Sequence, residues 1–175
     1  VLRAPHEEDL DAITNLANNI RIAEMLTRLP HPYTFAHARE FIEGVRTGEI
    51  GNCIYAITQA ETGIFMGTCA IHHSDDEGRI EIGYWLGEPY WGHGYATEAV
   101  QALVDLAFRV SDIECLYASF IKGNIASRNV LAKLGFNYVD DYQVLREGHG
   151  QVALERYGLK RDAHMHSLSL QIHNK

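Results

Sequence analysis

Two glycines set two residues apart, Gly92 and Gly94, separate a strand-like apolar run, Glu81-Ile-Gly-Tyr-Trp-Leu86, from a long stretch with helical apolar spacing, about Ala96 to Val110. A strand that turns through glycines directly into a helix commits the chain to a β-turn-α unit, and the turn is chemically distinctive. Glycines let a ligand approach the backbone, successive N–H groups point the same way, and the helix amino end adds partial positive charge. A pyrophosphate is the natural occupant of such a cradle, while a Gly-x-Gly this short, taken alone, equally serves as a plain turn. Two other phosphate loops are excluded. Thr97 stands where the dinucleotide fingerprint requires a third glycine or alanine, and no Gly-Lys-Ser/Thr follows as in a nucleoside-triphosphate loop.

The surrounding chain alternates between helical and strand periodicity. Leu10, Ile13, Leu16, Ala17 and Ile20 predict one amphipathic helix over Asp9 to Met25, capped by Asp9 or Asp11. Pro30-His-Pro32 breaks it. Thr34 opens a second helix through Ala38, Phe41, Ile42 and Val45, stopped by Gly48 and Gly51. Strands follow at Cys53 to Thr58, Phe65 to His72 and Arg79 to Leu86, joined by a hairpin at Glu61-Thr-Gly63 and a polar turn at residues 74–78, an antiparallel meander. Beyond the glycine turn and its helix come a strand from Cys115 to Ile121, a helix from Ile125 to Leu134, and strands at Tyr138 to Arg146 and Val152 to Leu159. This order implies an α/β fold with a mixed sheet. Residues 1–160 read as one domain and 161–175 as a tail. In the tail, Leu168, Leu170 and Ile172 alternate, which suggests an added strand, packing on a partner chain as in a homodimer, or fraying. His164 and His166 read as exposed tail residues, not metal ligands.

Composition narrows the function. With 46% hydrophobic and 22% charged residues over 175 positions the chain is ordinary for a soluble domain, with no apolar run long enough to cross a bilayer. The amino end lacks the pattern of a signal peptide, so a cytoplasmic location is expected and a membrane is not a partner. A net charge of -8 without a Lys/Arg stripe argues against nucleic acid. Cys53, Cys69 and Cys115 lie far apart in apolar stretches and read as reduced, buried packing residues.

Taken together, these motifs resemble the GNAT acyltransferase superfamily and, within it, the RimJ/RimL-like branch of N-acetyltransferases. The loop pattern Arg/Gln-x-x-Gly-x-Gly/Ala maps onto Trp91-Gly-His-Gly94-Tyr-Ala96, with Trp91 in the first place. A later pattern maps onto Asn124-Ile-Ala-Ser127 and runs on through Val130-Leu131 to Leu134-Gly135-Phe136, and Leu29-Pro-His-Pro-Tyr-Thr34 also looks like the branch. The resemblance implies a twisted seven-stranded sheet flanked by four helices, opened into a V between the strands ending near Leu86 and beginning at Cys115. It implies acetyl-CoA as co-substrate, its pantetheine arm against the backbone of Tyr84, Trp85 and Leu86, its pyrophosphate on Trp91, Gly92, His93, Gly94, Tyr95, Ala96 and Thr97, and Asn124 and Ser127 beside the arm or the thioester.

Acetyl transfer to an amine requires a base, an oxyanion donor and a group to steady the departing thiolate. The resemblance makes Glu81 the base; the residues alone equally allow a solvent-facing carboxylate balanced by Arg79. The oxyanion donor is expected in a backbone N–H near Trp85 or Leu86. A tyrosine that many members place seven residues after the asparagine is replaced by Leu131, which leaves Ser127 as the nearest thiolate donor. Of His72 and His73, alternation lets at most one face the site. The expected acceptor is a small-molecule amine or a peptide amino terminus. Two other readings stay open, a non-catalytic acyl-CoA-binding sensor and an enzyme of a different class such as a phosphate-cradling nucleotide transferase.

Overall fold

The structure is a computed structural model that describes residues 1–74, 78–146 and 148–173, with side chains to residue 169. Among these residues the elements are β1 (Leu2–Arg3), α1 (Leu10–Ala17), α2 (Ile20–Ala23), α3 (Phe35–Thr47), β2 (Ile54–Thr58), β3 (Phe65–His73), β4 (Ile80–Leu86), α4 (Tyr95–Val110), β5 (Cys115–Ile121), α5 (Ile125–Lys133), β6 (Asn137–Arg146), β7 (Gly150–Lys160) and α6 (Arg161–His173). The strands make one open sheet in the order β1-β2-β3-β4-β5-β7-β6. All neighbours are antiparallel except β4 and β5, which run parallel. The mixed α/β sheet expected from the sequence is therefore present.

Two apolar layers sandwich the sheet. On one face Ile82, Leu86, Leu116, Ala118 and Phe120 meet Val100, Leu103, Val104 and Phe108 of α4 and Leu131 of α5. On the other, Ala56 and Phe65 meet Ile13 and Ala17 of α1 and Ala38 and Ile42 of α3. Burying each of the larger side chains stabilises the fold by about 1.5–3 kcal/mol. The ends of α3 lie where its residues require. Thr34 Oγ1 accepts the His37 N–H at 3.4 Å, and Gly48 closes the helix at φ +75°.

Three expectations need correction. The single first helix is split, because Asn19 is extended and its side chain accepts the Arg21 N–H at 2.9 Å, capping α2, while Asn18 Oδ1 takes the Tyr33 N–H at 3.0 Å. Asparagine side chains here outcompete the helix for backbone donors. The tail is a helix instead of a strand, so six helices accompany the sheet where four were expected. Arg161 donates to the carbonyls of Phe108 (2.7 Å) and Ile113 (3.0 Å), and His164, buried and not exposed, lies 3.0 Å from Asp105 of α4 with its ring 5.2 Å from that of Phe108. Contacts three residues apart on α4's flank select a helix over the period-two alternation. Finally, only Cys69 is buried; Cys53 is exposed and Cys115 half-buried. The polar turn expected before β4 includes residues 75–77, which lie outside the described residues.

Candidate active site

The glycine turn takes the shape its composition predicts. Gly92 and Gly94 have φ of +77° and +84°, a region that favours glycine, and a Cβ built on either meets nothing within 4 Å. The space on the Cβ side of both glycines is thus open, and both line the cleft described below. Gly94 caps α4, a helix of 16 residues. The first N–H groups of any helix have no partner within it, so those of Tyr95, Ala96 and Thr97 sit at its positive end. Trp91 faces back across the turn, and its indole N–H donates to the Leu86 carbonyl at 2.8 Å. This ties the loop to the end of β4. The rings of His93 and Tyr95 stack at 5.8 Å.

Beside the loop, β4 and β5 part company. Their register is confined to Glu81 opposite Tyr117. Beyond that pair the strands enclose a wedge between Tyr84 to Leu86 and the start of α5. There Asn124 Oδ1 accepts the Ser127 N–H at 3.1 Å, which caps the helix and leaves the amide NH2 as the donor end of the side chain. Across the wedge the Tyr84 hydroxyl donates to the Ser127 carbonyl at 3.5 Å. Burial pushes the Tyr84 phenol up to about 12, so it remains protonated at neutral pH. Leu131, at the position of the tyrosine expected from the resemblance, is fully buried in the layer with α4 and lies behind the cleft wall with an apolar side chain that offers no proton.

Glu81 projects from the opposite face of β4. It is 7% exposed, which excludes the solvent-facing role that its sequence position allowed. Its carboxylate accepts from Ser119 Oγ at 3.2 Å and lies 3.7 Å from Nε of Arg156, itself 2% exposed. Arg156 stacks 4.1 Å from the ring centroid of Tyr142 and reaches Asp140 at 3.3 Å. The expected partner Arg79 has its guanidinium over the ring of Tyr117, at 5.3 Å. Of the two histidines, His72 is opposite Glu81 in the ladder and packs over Gly83, so it shares the face of Glu81. Ser119, Arg156, Tyr142 and Asp140 went unnoticed in the sequence. The one available signal was a charged pair, Glu155-Arg156, in the middle of an otherwise apolar strand.

A single cleft of about 1810 Å³ connects these parts, from Gly92, Gly94 and Thr97 through Tyr84 and Ser127 to Glu81, His72 and Tyr142. A family model described as an acetyltransferase (GNAT) domain matches residues 1–137. The chain belongs to the GNAT acetyltransferase family. It is accordingly an acyltransferase that uses acetyl-CoA. Among curated proteins it is similar to the uncharacterized N-acetyltransferase p20 of Bacillus licheniformis, 31% identical over 140 residues, 77% of each chain. Among solved structures its fold is similar to RimL, a ribosomal L7/L12 alpha-N-protein acetyltransferase in complex with coenzyme A, with a TM-score of 0.77, 21% identity and coverage of 93% of this chain and 94% of that one. It is also similar to spermidine N-acetyltransferase from Vibrio cholerae in complex with CoA and spermine, with a TM-score of 0.74, 18% identity and coverage of 94% and 97%. Among the described residues no group of three or more His, Cys, Asp and Glu side chains is arranged to hold a metal, and no helix is long and apolar enough to cross a membrane.

Proposed function

We propose that this GNAT acetyltransferase moves the acetyl group of acetyl-CoA onto a primary amine, of a peptide amino terminus or a small molecule, by direct attack with both substrates bound. The observation that carries the reading is the position of Glu81, a buried carboxylate on the same cleft as the open glycine loop but on the far face of β4. In this reading the loop N–H groups from Gly92 to Thr97 bind the pyrophosphate, the backbone of Tyr84 to Leu86 pairs with the pantetheine amides, and the Asn124 amide donates to the arm. An N–H near Trp85 or Leu86 steadies the oxyanion.

The roles follow from charge and placement. Glu81 takes the amine's proton, directly or through a water, as the new C–N bond forms; Arg156 and Ser119 hold the carboxylate in place. The C–S bond breaks with its electron pair on sulfur, and the Ser127 hydroxyl donates a hydrogen bond to the thiolate. Thiols are far stronger acids than alcohols, so an alkyl thiolate leaves without a strong acid. The fully buried Leu131 is compatible with that chemistry, since Ser127 already stands at the wedge. The proteins with similar folds include one named for a ribosomal protein and one for spermidine, and both acceptors present a primary amine.

Thiol release from acetyl-CoA, followed across peptide amino termini, polyamines, aminoglycosides and amino acids, tests the proposal. Turnover with one class identifies the acceptor. Coenzyme A that raises the melting temperature while every amine stays inert would favour the sensor reading instead.

A further inference from the structure

The coenzyme is a polyanion, yet the segment that receives it brings no fixed positive charge of its own. From Gly87 to Phe108 there is neither lysine nor arginine, Glu88 and Glu98 flank the glycines, and the chain as a whole carries -8. The helix amino end supplies only about half a charge. Helix α2 places Arg21 in this gap. Its guanidinium lies 5.2 Å from the ring centroid of Trp91, the residue before Gly92, and pairs with Glu88, which also accepts from Asn19 Nδ2 at 2.7 Å. The Arg21 side chain is 63% exposed and lines the same cleft as Gly92, Gly94 and Tyr95. A carboxylate partner in solvent holds a guanidinium only weakly. The flat indole face lets it turn while remaining stacked.

We propose that Arg21 is a phosphate-binding residue of the coenzyme site, exchanging Glu88 for a phosphate oxygen when the loop is occupied. This rests on the reading that the loop holds coenzyme A. The ligand group is a phosphate ester or anhydride, supplied either by the diphosphate or by the 3′-phosphate on the ribose. Glu88 is then a competitor for Arg21, not a helper, and the two side chains affect affinity in opposite directions.

Calorimetric titration of coenzyme A and 3′-dephospho-coenzyme A into the wild type, Arg21→Ala and Glu88→Gln decides the matter. Arg21→Ala is expected to weaken coenzyme A roughly tenfold at low salt, as for loss of one charge-assisted hydrogen bond. The deficit shrinks at about 0.5 M salt, where screening is short-ranged. Glu88→Gln is expected to tighten binding severalfold by releasing the guanidinium. A deficit that persists with 3′-dephospho-coenzyme A assigns Arg21 to the diphosphate; one that vanishes assigns it to the 3′-phosphate. If Glu88→Gln weakens binding as Arg21→Ala does, the pair is only a clasp between α2 and the loop, and the proposal is overturned. Unchanged affinity in Arg21→Ala overturns it as well. A wild type that does not bind coenzyme A removes the loop reading itself, a result distinct from either.

Discussion

Replacing Gly94 by glutamate introduces two effects of calculable size. The first is conformational: at φ +84° any side chain suffers the left-handed penalty, about 1–2 kcal/mol, while the built Cβ meets nothing within 4 Å and adds no clash. For a chain of this length each kcal/mol lowers the melting temperature by about 2–4 °C. The second effect acts only on the ligand. A carboxylate about 4 Å from one phosphate charge repels it by about 1 kcal/mol in a water-like medium and about 4 kcal/mol at an effective dielectric of 20. That corresponds to a loss of affinity between roughly fivefold and several hundredfold. Gly63 supplies the control. It lies in the turn between β2 and β3 at φ +71° with the same open surroundings, so Gly63→Glu bears the conformational penalty away from the loop. Melting curves and coenzyme A titrations of both variants should show similar destabilisation, with lost affinity confined to Gly94→Glu. Equal affinities in the two variants would falsify the assignment of the loop to the pyrophosphate.

Glu81→Gln should lower turnover by about 10²–10⁴-fold near neutral pH, where the amine is mostly protonated, and by progressively less as pH rises toward the amine's own pKa; a pH-rate profile parallel to that of the wild type would reduce Glu81 to a structural partner of Arg156. Leu131→Tyr, which installs the tyrosine that many superfamily members carry at this place, should destabilise the protein by about 1–3 kcal/mol in urea unfolding without raising turnover, because the position is fully buried in the α4 layer. A stable variant with faster thiol release would contradict that. For Asp9, burial pushes the carboxyl up, but the Arg3 guanidinium at 2.7 and 2.8 Å and the His6 N–H at 3.0 Å outweigh it and hold the group below its usual range. Its stabilisation is therefore complete above about pH 4 and lost as pH falls through the depressed value. Urea midpoints should show a wild-type advantage over Asp9→Asn at pH 7 that narrows by pH 3, and an equal gap at both would remove the linkage.

What could be read in the sequence was whatever local chemistry decides. The glycine turn, the Thr34 and Gly48 ends of α3, and β5 at Cys115–Ile121 are set by residues within a few positions of one another, and the structure has them where the sequence put them. Strand β1 escaped notice because two residues, Leu2 and Arg3, make no pattern until Ile57 and Ala56 pair with them. The surroundings of Glu81 were illegible for a related reason. Arg156 is 75 positions away by the numbering, and it reaches Glu81 only because β7 is inserted between β5 and β6 with Ser119 and Asp140 both opposite Arg156. Sequence shows that a charged residue is in a strand but not which face or neighbour it meets. The tail misled for the opposite reason: its alternating apolar residues imitate a strand, whereas Arg161 and His164, which anchor it, act through carbonyls and a carboxylate at the far end of α4.

An open sheet ordinarily has two rims, and this one has a third inside it. Because the ladder between β4 and β5 is registered only at Glu81 and Tyr117, the stretch of β4 that follows presents main-chain donors and acceptors to a gap in the middle of the sheet. Such a row is a template for any extended backbone, including that of another chain. A molecule that paired with it as a strand does would carry amides of its own, as an arm built from two amide links does and a bare phosphate or a sugar does not. In the proposed reading, occupancy completes the sheet as well as delivering the acyl group, the free protein is the less finished of the two forms, and resistance to unfolding should rise and fall with the supply of coenzyme.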